Sequence, residues 1–166
     1  MQLGRKNHGF HHSISKLHTL DASVFAISSP NVNWHNSSNT AAFKLPFSQA
    51  FQHVHISSVC TDIGKQGTYQ NYCTLQGGNA ILTKGHCASQ FSASHQDHRG
   101  HGSFTSTTFQ GRNNIKMTIV CAYIAFPKGR KMGDTSVYHQ QYTLMEQNAT
   151  QKKTNIKSNT ALIKRP

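Results

Sequence analysis

Residues Gly102-Ser-Phe-Thr-Ser-Thr-Thr-Phe-Gln110, Gly111-Arg-Asn-Asn114 and Ile115-Lys-Met-Thr-Ile-Val-Cys-Ala-Tyr-Ile-Ala-Phe126 read as a β-hairpin. One arm is built from Thr and Phe, the other from Ile, Val and Tyr. β-Branched and aromatic side chains suit a pleated, half-buried surface. Gly-Arg-Asn-Asn between the arms supplies residues that tolerate a left-handed backbone in a short turn. The segment Ile119–Ala125 is nearly continuous apolar, the pattern of a strand covered on both faces.

Working outward, the remaining periodicity predicts an α/β chain. Strands are expected near 22–27, 54–60, 78–84, 103–110 and 115–125, and helices near 11–20, 46–53 and 135–146. Phe43, Phe47 and Phe51 make an apolar stripe at helical spacing, with Pro46 as its start or its kink. Residues 86–101 lack apolar periodicity and read as a polar loop. Phe25, Phe51, Ile81, Phe104, Ile119, Val120 and Leu144 are the expected core. The domain is placed at 1–146, followed by a basic tail over 147–166 that is expected to be disordered.

Composition limits that core. Leu, Ile, Val and Phe make up just under a fifth of the 166 residues, and the formal net charge is +12. Both values lie near the range of disordered chains. Seventeen Lys and Arg face five Asp and Glu, an excess that favours polyanions, chiefly nucleic acid or an anionic membrane surface. Carboxylate chemistry has only Asp21, Asp62, Asp97, Asp134 and Glu146 to draw on. The four cysteines form no Cys-x-x-Cys pair, which argues against a zinc knuckle. Residues 1–20 lack the apolar region of a secretory signal, and no run approaches the roughly 18 apolar residues of a membrane span. The expectation is an intracellular protein, with nuclear residence open, that does not enter a membrane.

The hairpin also carries a resemblance. Gly-Ser-Phe-Thr-Ser-x-x-Phe-Gln-Gly-Arg-Asn-Asn-x-Lys-x-Thr-Ile-Val-x-Ala-Tyr resembles the central sheet of the endonuclease/exonuclease/phosphatase superfamily, closest to retroelement-type copies. Gly77-Gly-Asn-Ala-Ile-Leu-Thr-Lys-Gly85 resembles the preceding strand. Val24-Phe-Ala with Asn31-Val-Asn-Trp34 resembles the strand and loop that hold the metal-binding glutamate. Thr135-Ser-Val-Tyr-His-Gln-Gln-Tyr-Thr-Leu144 resembles the helix after the Ala-Tyr strand. The resemblance spans most of residues 20–146 and implies an incomplete β-sandwich of that superfamily with flanking helices.

What the resemblance implies chemically is magnesium-dependent phosphodiester hydrolysis, in which a glutamate holds the metal and Asp-x-Asn and Asp-His pairs activate water. In this chain the glutamate position falls at Ser29. Tyr123 matches the family's phosphate-side tyrosine. Strict spacing from Gly9 puts Lys6 at the family's N-terminal asparagine, with Asn7 one position away. The Asp-x-Asn and Asp-His elements would lie beyond residue 146, where the sequence is Lys-rich. The expectation is therefore a truncated, inactive relative of a retroelement endonuclease that needs no cofactor. The alternative is a non-catalytic basic nucleic-acid-binding module. Lys128, Arg130 and Lys131 are its expected phosphate contacts. His8, His11 and His12 could project together from the first expected helix, but 12 histidines in one chain cluster by coincidence, and a metal site needs defined geometry and a second shell. His95, Asp97, His98 and His101 lie in the expected loop, which enforces no ligand geometry. No metal site is assigned.

Overall fold

In the computed structural model, which describes residues 16–17, 19–65, 75–123 and 136–163, the hairpin forms as expected within a larger arrangement. The described strands are β1 (Val24–Ser28), β2 (Val54–Val59), β3 (Asn79–Lys84), β4 (Phe91–Gln96), β5 (Phe104–Gln110) and β6 (Lys116–Ala122). The helices are α1 (Ser37–Ala50), the short α2 (His86–Ser89) and α3 (Val137–Ile163). Two three-stranded antiparallel sheets result, ordered β1-β3-β2 and β4-β5-β6. They pack face to face, with β5 against β2 and β3, and β6 against β1. Helix and strand content is mixed, as the sequence predicts. Among the described residues, no helix is long and apolar enough to cross a membrane.

The hairpin register runs from Phe104 opposite Ala122 to Gln110 opposite Lys116. Asn113 and Asn114 take φ of 59° and 57° in the turn, the left-handed conformation that Asn tolerates. The expected two-sided cover of the second arm is not found. Among the described residues, β6 is the edge of its sheet and pairs only with β5. Val120 is 58% exposed, and Ile115 and Met117 are exposed with it. A continuous apolar run shows hydrophobicity, not which faces the neighbouring elements cover.

β3 is the most buried strand, because each of its faces has a cover. Leu82 meets Phe47 of α1 on one side, and Phe25, Ile27, Phe43, Phe51, Val54 and Ile56 pack around this pair. Fully burying one such side chain contributes about 1.5–3 kcal/mol. The opposite side of β3 faces the second sheet, and here the core is largely hydroxyl and amide. Asn79, Thr83, Thr105 and Thr107 are all fully buried. Burying such groups is costly unless they are hydrogen-bonded, and these are. Thr107 Oγ1 donates to Ser57 Oγ at 2.8 Å, and Thr83 Oγ1 donates to His55 O at 3.3 Å. Gln96 Nε2 donates to Ser58 O at 2.8 Å, and the His55 ring stacks on Phe91 at 3.6 Å. A chain poor in Leu and Val thus joins its two sheets with paired polar groups.

Other expectations need correction. α1 does not begin at Pro46 but runs through it. It begins at Ser37, where the Asn36 side chain accepts from the Ser38 and Asn39 N–H groups. The segment expected to be a loop over 86–101 contains α2 and β4. β4 forms because β5 offers it a partner edge, despite its weak strand pattern. Of the expected core, Ile81 and Leu144 are buried, Phe25, Phe51, Phe104 and Ile119 are half-buried, and Val120 is exposed. α3 continues to Ile163, well past residue 146. The helix expected over 11–20 lies mostly outside the described residues.

Candidate functional site

Ser29 follows the last residue of β1, and Tyr123 follows the last residue of β6. The packing brings both to the same end of the sandwich, around Asn79. Ser28 is opposite Asn79 in the first sheet. Ser29 takes φ of 53° and donates its N–H to Gly78 O at 2.9 Å. Asn31 continues this clasp: its N–H bonds Gly77 O, and its side-chain oxygen accepts the Gly77 N–H at 2.9 Å. Gly78 has φ of 80°, and a Cβ there would lie 2.7 Å from Val59 O, so a side chain would break the clasp.

Asn79 carries the connection across to the second sheet. Its Nδ2 donates to Gly102 O at 2.9 Å and to Ser103 O at 3.1 Å. Its Oδ1 accepts from Cys121 Sγ at 3.5 Å, and burial pushes the Cys121 thiol up, keeping it protonated as a donor. Ser103 O also receives the Tyr123 N–H at 2.8 Å. Ser29 and Tyr123 are therefore held by one network through Gly78, Asn79 and Ser103. Asn7, Lys128, Arg130 and Lys131 lie outside the described residues.

Beside this end, between β2, β4 and the start of α1, is a cleft of about 280 Å³. Trp34, His35, Lys44, Asp62, Gln96 and Asp97 line it. Its two carboxylates are engaged in holding the protein together. Asp62 Oδ1 lies 3.4 Å from His35 Nε2. Asp97 accepts the Arg99 N–H at 2.9 Å on one oxygen and the Ser103 N–H at 3.1 Å on the other. Partial burial alone pushes the Asp97 carboxyl up, but these N–H groups and nearby His101 outweigh it, and its pKa lies below the ordinary value. Among the described residues, no three His, Cys, Asp or Glu side chains converge to hold a metal ion. His95 lies in β4 and is exposed, whereas His98 and His101 lie in the following turn.

α3 closes the same end. Gln140, fully buried, accepts from Thr61 Oγ1 at 2.7 Å, and Gln141 Nε2 donates to His101 O at 3.0 Å. Sequence reasoning placed Asn79 in the expected strand over 78–84 but gave its side chain no role. It also missed Asp97 as a loop clamp, although Asp-x-Arg in a polar segment is a recognisable Asx-turn signal. No protein-family model matches this chain, and no curated protein or solved structure matches it.

Proposed function

We propose that the chain is a non-hydrolytic relative of metal-dependent phosphodiesterases and endonucleases, and that it binds nucleic acid through its positive charge. The observation that supports this reading is the group at the end of β1. Where the resemblance expects a metal-binding glutamate, Ser29 offers a neutral hydroxyl, with its backbone held to Gly78. Hard cations such as magnesium rely on anionic oxygen ligands. Asp62 and Asp97, which line the neighbouring cleft, are engaged by His35 and by backbone N–H groups.

What remains of the chemistry is attraction to phosphate. With 17 Lys and Arg against five Asp and Glu, most cations have no internal counter-charge. Such a chain gains affinity for a polyanion by releasing its counterions. Lys128, Arg130 and Lys131 are the proposed contacts, with Tyr123 at the position that matches the family's phosphate-side tyrosine. A plasmid-nicking assay with magnesium, with and without EDTA, tests the non-hydrolytic half of the proposal. The expected result is retention of intact plasmid. EDTA-sensitive nicking that co-purifies with the protein would overturn it.

A further inference from the structure

The outward face of α3 has no role in the site just described. The helix docks through Gln140 and Leu144, which are buried, while Tyr138, Tyr142 and Met145 on its far face are 39%, 49% and 51% exposed. Tyr138 and Tyr142 are one turn apart, with ring planes within 18° of parallel and centroids separated by 6.4 Å. The Glu146 side chain beside the Tyr142 hydroxyl raises its pKa and favours the protonated phenol. Two large aromatic rings kept parallel and exposed make a surface on which flat, weakly solvated groups can lie.

We infer that the Tyr138–Tyr142 face is a stacking platform for the bases of a single-stranded nucleic acid. The inference rests on the nucleic-acid reading above and adds the form of the strand and the side chains that meet it. The ring separation is close to twice the roughly 3.4 Å step between stacked bases, so one unpaired base fits between the two rings. Charge favours the same occupant. The sequence of α3 contains one carboxylate, Glu146, against Lys152, Lys153 and Lys157, and the whole chain is at +12. In a duplex the base faces are covered by their neighbours, so the platform selects unpaired strands. Every base has such a face, so the platform does not select sequence.

The test compares fluorescein-labelled oligo-dT with a duplex of equal length, by anisotropy, using the full chain and the double variant Tyr138→Leu/Tyr142→Leu. Leucine keeps helix propensity, and circular dichroism checks that the variant is folded. Tyr138→Phe/Tyr142→Phe serves as the ring-retaining control. The wild type and the Phe variant are expected to bind oligo-dT more tightly than duplex. The Leu variant is expected to lose about tenfold or more on oligo-dT, with little change on duplex. Unchanged oligo-dT affinity in a folded Leu variant, alongside wild-type binding of both forms, overturns the platform and leaves the nucleic-acid reading standing. Binding of neither form by the wild type overturns both. Wild-type dimerisation in sedimentation equilibrium that is lost in the Leu variant would assign the face to a second copy and also overturn the platform.

Discussion

Asn79→Ala is expected to destabilise the protein by about 2–4 kcal/mol, because one side chain connects the sheets that carry Ser29 and Tyr123. Its amide donates to Gly102 O and Ser103 O at 2.9 and 3.1 Å, and the residue is fully buried. Ser103 O keeps the Tyr123 N–H after the substitution, so the unmet acceptor is chiefly Gly102 O. Leaving a buried acceptor unpaired costs about 1–3 kcal/mol. The void left by the amide adds about 1 kcal/mol where the walls cannot collapse. In urea denaturation followed by circular dichroism, an m-value near 2 kcal/mol/M turns this into a midpoint shift of about 1–2 M. Asn79→Asp keeps the shape but points a carboxylate oxygen at two carbonyls. At neutral pH it should be at least as damaging, with partial recovery in acid, where the protonated carboxyl again donates. A loss below about 0.5 kcal/mol for Asn79→Ala, typical of surface changes, would refute the bridging role.

Thr107→Val and Ser57→Ala should each destabilise, and a double-mutant cycle should give a coupling of about 1 kcal/mol for the hydroxyl pair, read by the same denaturation assay. Burial first, and the Lys44 charge second, lower the His55 pKa. The unfolded chain therefore takes up this proton more readily, and stability is full above the ordinary value of 6.5 and falls as pH drops below it. His55→Phe, which keeps the stack on Phe91, should flatten that slope in a pH series of melting temperatures. The lowered pKa of Asp97 has the same sign in a lower window: its contribution is present above 3.8 and is lost as pH falls below that value. Asp97→Asn should remove that acid-limb loss. Ser29→Glu alone is expected not to produce magnesium-dependent cleavage, since catalytic groups that act as a unit are non-additive. Robust nicking by that single variant would count against the reading of Ser29.

The hairpin was legible because its signals are local. Thr and Phe make up most of one arm, Ile and Val are prominent in the other, and two Asn residues occupy the left-handed turn. β4 was not legible, because Phe91-Ser-Ala-Ser-His-Gln has little β-branched character and becomes a strand only by pairing with β5. The first half of α1 escaped notice for a related reason. Ser37–Ala42 has no apolar stripe, and its start is set by the Asn36 cap and by the packing of Trp34 on Phe43 at 4.9 Å. Val120 misled because being at a sheet edge is a property of topology, which no local window contains. At the candidate site, family spacing led to Ser29 and Tyr123 one residue at a time. That they share a network depends on Asn79, whose partners lie more than twenty residues away in sequence. Only the folded chain brings them together.

The most direct test of the nucleic-acid reading is a filter-binding titration of the full chain on duplex DNA across a range of salt concentrations. Each phosphate neutralised by Lys or Arg contributes about −0.9 to the slope of log affinity against log salt. With a net charge of +12 and so few internal counter-charges, the expected slope is several times that value, and it should be the same on unrelated sequences. A flat salt response, or no retention of DNA at low salt, would contradict the proposed function.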